Sequence, residues 1–393
     1  MDTASRTDRP YLIWGIGILS VSVIVRFLVY PVISGDYTAS ISHWMNALHS
    51  PGLSAFKVQF SDYAPLYLYF LKILTLIPIY ELFTIKTLSG IFDSILGLIA
   101  VAILKKDPRR VWTPAQLFLA FAVVFTIPTV ILNSSAWAQA DSLYTAFILL
   151  SLYSIIRDKP LSASIFFGIA FSLKLQAIFF LPVLIGYATL RKKNLYDLLA
   201  IPIIYVITVI PAWFAGGSLW ALLSVYGQQT SEFQDLTLSA PTIFSFVSES
   251  MSSSSMATVL SGLGMLLALI ASAWIIWTMV RVGKERPFKL EEIVLLSLLS
   301  AVMVPFFLPH MHERYFYLAD VLSVVYACLV PKRWYLPALI IGASFFSYIP
   351  FLSGSIPFLG YWKVNEAILG IAELAALICA VVLVRRSTAH VES

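Results

Sequence analysis

Groups able to do chemistry are scarce in this chain and gather in a few places. The stretch Ser34–Tyr69, SGDYTASISHWMNALHSPGLSAFKVQFSDYAPLYLYF, carries Asp36, His43, Trp44, His49, Asp62 and Tyr63 directly after the first apolar run. Asp36 follows a helix stop at Pro31–Gly35, which places its carboxylate at the edge of a membrane. A carboxylate in a partly desolvated pocket can act as general base on a sugar hydroxyl. The structural alternative is an N-cap for a helix starting at Tyr37. Asp62 opens the aromatic run and carries the same choice between capping and binding. Ala136–Asp141, AWAQAD, sets Trp137, Gln139 and Asp141 at the start of another apolar run. An indole, an amide and a carboxylate suit sugar hydroxyls, although a Trp at a span end is commonly a belt residue.

Two basic elements complete the set. In PHMHERYFY, 309–317, a helix would put His310 and Arg314 on one face and Glu313 and Tyr317 on another. The guanidinium fork of Arg314 suits phosphate, and a neighbouring His adds a donor. The structural alternative for Arg314 is an ion pair with Glu313, Asp320 or a loop acid. Lys174, with Gln176 beside it at the tip of a short apolar hairpin, supplies a second positive charge. A metal site on His310 and His312 is disfavoured, because two-residue spacing diverges on a helix and no third ligand is evident. No metal and no cofactor are expected. Arg26 and Asp93 lie within apolar runs and read as a structural pair, and Asn133-Ser134-Ser135 matches a glycosylation acceptor by chance.

The elements that hold these groups are membrane helices. Of 393 residues, 59% are apolar and 12% charged, and 27 Phe, 19 Tyr and 10 Trp add to the hydrophobic load. No water-soluble domain hides that much apolar surface, so the chain is read as one all-α polytopic membrane domain over 1–393. The net charge of +5 is no sign of nucleic-acid binding, since the basic residues lie in short loops. Cys328 and Cys379 sit inside apolar runs, which argues against a disulfide framework. The first run, after Arg6 and Arg9, is long enough to span and reads as an uncleaved first helix. There is no phosphate-binding glycine loop and no inverted repeat, and nothing resembles a soluble nucleotide-sugar domain.

Sidedness follows from the basic loops. Thirteen apolar runs are visible, and if all crossed, KKDPRR at 105–110 and every later basic loop would fall outside. If 63–80, broken by Pro65, Lys72 and Pro78, rests in the outer leaflet instead, about twelve spans remain. Nineteen of the 26 Lys and Arg residues then face the cytoplasm. Both termini are expected inside, with Asp36 on the outer face of the cell inner (plasma) membrane. Residues 31–83 form an external catalytic loop with interfacial helices, in which Ile41, Trp44, Met45 and Leu48 share a face. Residues 216–255 form a second external loop, ending in SESMSSSS and read as a lid.

Taken in order, these motifs resemble a known family. Gly35-Asp36-Tyr37-x-Ala39 with His43-Trp44 is similar to the first-loop motif of the dolichyl-phosphate-glucose-dependent glucosyltransferases of asparagine glycosylation, and Asp62-Tyr63-Ala64-Pro65-Leu66 looks like their DYPPL. Trp137-x-Gln139-x-Asp141 and Lys174-x-Gln176 resemble elements of bacterial GPI-mannosyltransferase-like proteins, and His312-Glu313-Arg314 is similar to H-E-K. The resemblance implies a GT-C fold and an inverting transfer of mannose or glucose from a polyprenyl-phosphate donor, without a metal, to a lipid-linked or glycan acceptor. It implies Asp36 as the base and His312 and Arg314 at the donor phosphate; Lys174 joins them on topology. His43, Trp44, Asp62, Tyr63, Trp137, Gln139, Asp141, Gln176, His310 and Glu313 are expected around the substrates. A transporter or lipid-linked-glycan flippase is the competing reading; it calls for polar groups at mid-membrane and repeat symmetry, whereas charge here gathers at one face.

Overall fold

The computed structural model describes residues 2–229, 235–247, 255–356 and 364–388. Almost all of the regular structure is helical, and the fold is that of an all-α polytopic membrane protein. Among the described residues, seven helices are long and apolar enough to cross a bilayer. A bent pair, Pro114–Phe125 and Pro128–Ala136, kinked by 58°, makes an eighth if counted as one span. Five shorter apolar helices accompany them, Pro65–Leu74 among them. The expected count of about twelve therefore requires the other four, at Asp141–Ile156, Pro160–Leu173, Leu175–Leu190 and Tyr317–Leu329, to cross as short helices sunk within the protein. Pro65–Leu74 is 10 residues long, too short to span, as the broken character of 63–80 predicts.

Burial sorts the helices. In Leu290–Phe307, 78% of the apolar span lies inside the protein, against 17% for Leu195–Phe214 and 22% for Ser255–Glu285. The first is a central post and the others face outward with Leu, Ile and Trp side chains exposed, a pattern that lipid satisfies and water does not. Glu81–Leu104 packs on Asp141–Ile156, which packs on Pro160–Leu173, and Asp2–Val29 packs on Pro114–Phe125. Arg26 and Asp93 pair across these helices at 2.7 Å, as their isolation in apolar runs predicts, and Ser134 and Ser135 accept further hydrogen bonds from Arg26.

The basic loops converge on one face. Arg109 pairs with Glu291 at 2.7 Å and Arg191 with Asp158 at 2.7 Å, while the Arg286 guanidinium donates to the carbonyl of Ser387. Thr113 donates to Asp8, which brings the N-terminal helix to the same face. The helices leaving this face at Lys159 and Lys289 end near Lys174 and His310, so the candidate site lies at the opposite ends of the same helices.

Two regions depart from expectation. Residues 308–316 are not helical: Met311–His312 is a short strand parallel to Thr237–Leu238, so His310 and Arg314 do not share a helix face, nor do Glu313 and Tyr317. The backbone N–H groups of His310 and Glu313 donate to Leu236 and Leu238, replacing the i to i+4 ladder with cross-chain bonds. The predicted lid is correspondingly anchored. Leu219–Leu223 and Val225–Gln229 are helical, and residues 235–247 are stitched to Met311–His312 and, through Ser239, to Glu366. Residues 230–234 and 248–254, most of SESMSSSS included, lie outside the described residues.

Candidate active site

Asp36 is placed by a set of buried polar ties. The first long helix ends at Val29, and Lys86, from Glu81–Leu104, donates to the now unpartnered carbonyls of Tyr30 at 2.7 Å and Val32 at 2.6 Å. Ser34 donates to the carbonyl of Trp137 at 2.8 Å and accepts from the Tyr37 N–H. Asp36 begins a π-helical turn, Tyr37–Ile41, but its side chain makes no capping bond. The capping alternative is therefore set aside, and the carboxylate turns toward its neighbours across the site. Nor does Asp62 cap a helix: Pro65–Leu74 starts with Ala64 at its N-cap.

The second wall comes from 132–141. Leu132–Ala136 is a π-helical turn, and Ala138, at φ +64°, reverses the chain in a left-handed conformation rare for a residue with a side chain. The reversal aims Gln139 back at Asp36, with its Nε2 donating to Asp36 Oδ2 at 2.7 Å. Ser89 donates to the Gln139 carbonyl at 2.7 Å and holds this turn.

The third wall is His312–Tyr315. Arg314 Nη1 lies 3.3 Å from Asp36 Oδ2 and 3.0 Å from Glu313 Oε1, and its Nε lies 4.0 Å from Asp141 Oδ2. The guanidinium stands 5.6 Å over the Trp137 ring, which is edge-on to Tyr348 and stacked on Phe351. Arg314 is thus held by charge on one side and an aromatic platform on the other. His312 Nδ1 lies 3.7 Å from Glu313 Oε2, with the ring against Tyr315.

These walls enclose a cavity of about 290 Å³. Asp36, Trp44, Asp62, Tyr63, Gln139, His312 and Arg314 line it, together with Tyr67, Tyr315, Leu238 and Phe351. Seven of the fourteen residues singled out in the sequence therefore meet in one space. Asp36 faces this cavity with about a third of its side chain exposed. Trp44, Tyr63 and Tyr67 form an aromatic ladder with ring centroids 5.1 and 5.2 Å apart. Burial pushes the Asp62 carboxyl above its ordinary range, against the opposing pull of Arg314 and Lys174.

The other predicted site residues sit elsewhere. Lys174 and Asp141 form a buried pair beneath the cavity, Nζ to Oδ1 at 2.5 Å, with Asn133 Nδ2 donating to the other Asp141 oxygen at 2.7 Å. Lys174 is thus engaged with Asp141 and does not line the cavity. Trp137 is 1% exposed and serves as the platform under Arg314. Gln176 is buried among the helices, His310 turns away to bond the Asp235 carbonyl, and His43 lies in an adjoining groove. The charge balance of the site is acidic. Asp36, Asp62, Asp141 and Glu313 outnumber the fixed cations Arg314 and Lys174, so an incoming anion must compete with carboxylates for Arg314. No cluster of three or more His, Cys, Asp or Glu able to hold a metal occurs among the described residues.

Lys86, Ser34, Ser89 and Asn133 carry the site yet have no functional role in the sequence reading. One signal existed for Lys86, because a lysine in an apolar run is costly and must find partners. For Asn133 the glycosylation-like triplet is wholly buried, in keeping with a chance match.

Comparison with known proteins gives the family. The family model described as glycosyltransferase family 87 matches residues 60–309, well over half of the chain. The chain belongs to glycosyltransferase family 87. The matched region contains Asp62, Tyr63, Gln139, Asp141 and Lys174, while Asp36 lies before its start and His312–Arg314 just past its end. No curated relative matches the chain. Membership makes this a membrane glycosyltransferase, acting on a sugar donor and an acceptor, and sets the transporter reading aside.

Proposed function

We propose that this membrane glycosyltransferase moves a hexose, mannose or glucose, from a polyprenyl-phosphate donor to a lipid-linked or glycan acceptor with inversion at the anomeric carbon. The observation that carries the reading is the Asp36 carboxylate, partly open to the cavity and oriented by the Gln139 amide beside an arginine and a histidine. Asp36 takes the proton of the acceptor hydroxyl as that oxygen attacks the anomeric carbon. The bond from this carbon to the phosphate oxygen breaks, and the phosphate leaves with the electron pair. Arg314 and His312 receive the anion, which needs little help from an acid because the polyprenyl phosphate, a phosphate monoester once the bond has broken, departs as a weak base. A lipid-borne donor fits a site walled by aromatic side chains at the ends of membrane helices. The carrier proposed is a bacterial polyprenol, the site faces outward from the plasma membrane, and both termini are cytoplasmic. Four short helices complete the twelve spans of a GT-C fold in this reading.

The direct test is transfer of radiolabelled sugar from synthetic polyprenyl-phosphate mannose and glucose to a membrane lipid extract, with wild type beside Asp36→Asn. Product from the wild type alone supports donor and base together; no product from either donor removes the donor assignment.

Two further outcomes follow. Arg314→Ala is expected to weaken donor binding by about 10- to 150-fold, the scale of roughly 1.5–3 kcal/mol for a charge-assisted hydrogen bond. Arg314→Lys keeps the charge but loses the fork, and is expected to fall between. An unchanged donor affinity in Arg314→Ala would take this residue out of the phosphate site. For topology, a cysteine replacing Pro108 is expected to react with a membrane-impermeant thiol reagent only after the cytoplasmic side is opened. Labelling from outside intact cells would invert the assignment.

A further inference from the structure

The catalytic cavity does not end at Asp36. Past Ser40, Trp44, Asp62 and Gln229 it adjoins a second groove of about 480 Å³, within the range of small-ligand sites, roughly 300–1,000 Å³. His43, Gln59, Ser61, Asp62, Gln228 and Gln229 supply its polar surface, and no Lys or Arg among the described residues lines it. The Gln229 Oε1 is buried without a hydrogen-bond partner, which leaves an acceptor at the junction of the two spaces. Gln59 Nε2 donates to Gln228 Oε1 at 2.7 Å, tying the first external loop to the helix Val225–Gln229 across 169 residues of sequence. On the far side of the Gln59–Ser61 wall lies a third space of about 250 Å³, with Phe56, Phe60, Leu68, Leu222 and Val225 making it mainly apolar.

We infer that the second groove is the acceptor subsite, and that it takes the neutral, hydroxyl-rich head of a glycolipid whose apolar tail lies in the third space. The inference rests on the reading of Asp36 as the base. Its chemistry is specific: the Gln59 and Gln229 amide oxygens accept from hydroxyls and the Ser61 hydroxyl can donate, with Gln228 engaged by Gln59 and Ser224. No Lys or Arg among the groove's described residues compensates a phosphate or carboxylate on the head; Lys57 lines the third space instead. The polar and apolar spaces share Gln59, Phe60, Ser61 and Val225 as a common wall, so a molecule with one end of each character can straddle it. The groove reaches the catalytic cavity beside Asp62, which places the acceptor hydroxyl on the Asp36 side and leaves the Arg314 side to the donor.

The experiment is equilibrium binding of radiolabelled octyl mannoside and octyl glucoside, below their micellar concentrations, to the full-length protein in lipid nanodiscs. Wild type and Asp36→Asn are expected to bind at least one of them saturably and with similar affinity. Gln59→Leu/Gln228→Leu is expected to bind it at least tenfold more weakly at an unchanged melting temperature. Should that variant fail to fold, Ser61→Trp, which fills the groove and leaves the amide bridge in place, carries the same expectation. Binding as strong as wild type in a folded groove variant overturns the subsite, and so does the absence of saturable binding to the wild type. Full transfer activity in Asp36→Asn would instead remove the base while leaving the binding results as they stand, so the two failures are told apart.

Discussion

Asp36→Asn is expected to lower sugar transfer by about 10²–10⁴-fold, the range that general acid–base catalysis contributes. The substitution keeps the shape of the side chain and removes its capacity to take a proton. Folding is expected to survive, because Asp36 caps no helix and a third of its side chain is exposed. Donor affinity is expected to hold or improve: the carboxylate 3.3 Å from Arg314 competes with the donor phosphate, and the amide does not. Transfer assays beside donor-binding measurements separate these effects. Turnover close to wild type would show that the proton goes elsewhere, and Asp62, which lines the same cavity, would be the next carboxylate to replace.

Lys174→Met is expected to destabilise the protein by about 3–5 kcal/mol, the cost of breaking a buried ion pair on one side. Asp141 is wholly buried and Lys174 nearly so, and without Lys174 the carboxylate keeps one hydrogen bond from Asn133 and a guanidinium 4.0 Å away. The double variant Asp141→Asn/Lys174→Met is expected to recover most of the loss, because no uncompensated charge then remains in the interior. Thermal unfolding in nanodiscs reads both. A stable Lys174→Met with weakened donor binding would return Lys174 to the phosphate site and remove the structural role assigned to the pair.

Lys174 also marks the boundary of what the sequence could say. Its position at the tip of a short hairpin identified it as a cation at the same ends of the helices as Asp36, and it lies there in a buried pair with Asp141. Its engagement with Asp141 depends on the turn of Ala138 and the π-turn before it, which no local pattern announces. His310 and Arg314 show the same limit from the other side. Their spacing is that of a helix face, and the segment instead pairs with Thr237–Leu238, some seventy residues earlier. A two-residue strand has too few positions to leave an alternating pattern, so periodicity could not find it. The apolar face of Ile41, Trp44, Met45 and Leu48, by contrast, was legible from helical spacing and is buried as expected.

The sequence by itself determined that the protein is helical and membrane-embedded and that its basic loops share one face, and it singled out Asp36, Asp62, Gln139, His312 and Arg314, which line one cavity. Those conclusions rest on transfer energies, because apolar length and the cost of isolated charges act residue by residue wherever the chain goes. Only the tertiary structure decided which charges neutralise one another. It paired Lys174 with Asp141, set Arg314 over Trp137 between Asp36 and Glu313, and left Asp36 partly open to the cavity. Coulomb interactions and hydrogen bonds fall off over a few ångströms, so their partners are chosen by the packing of helices distant in sequence and are not written in any one stretch of it.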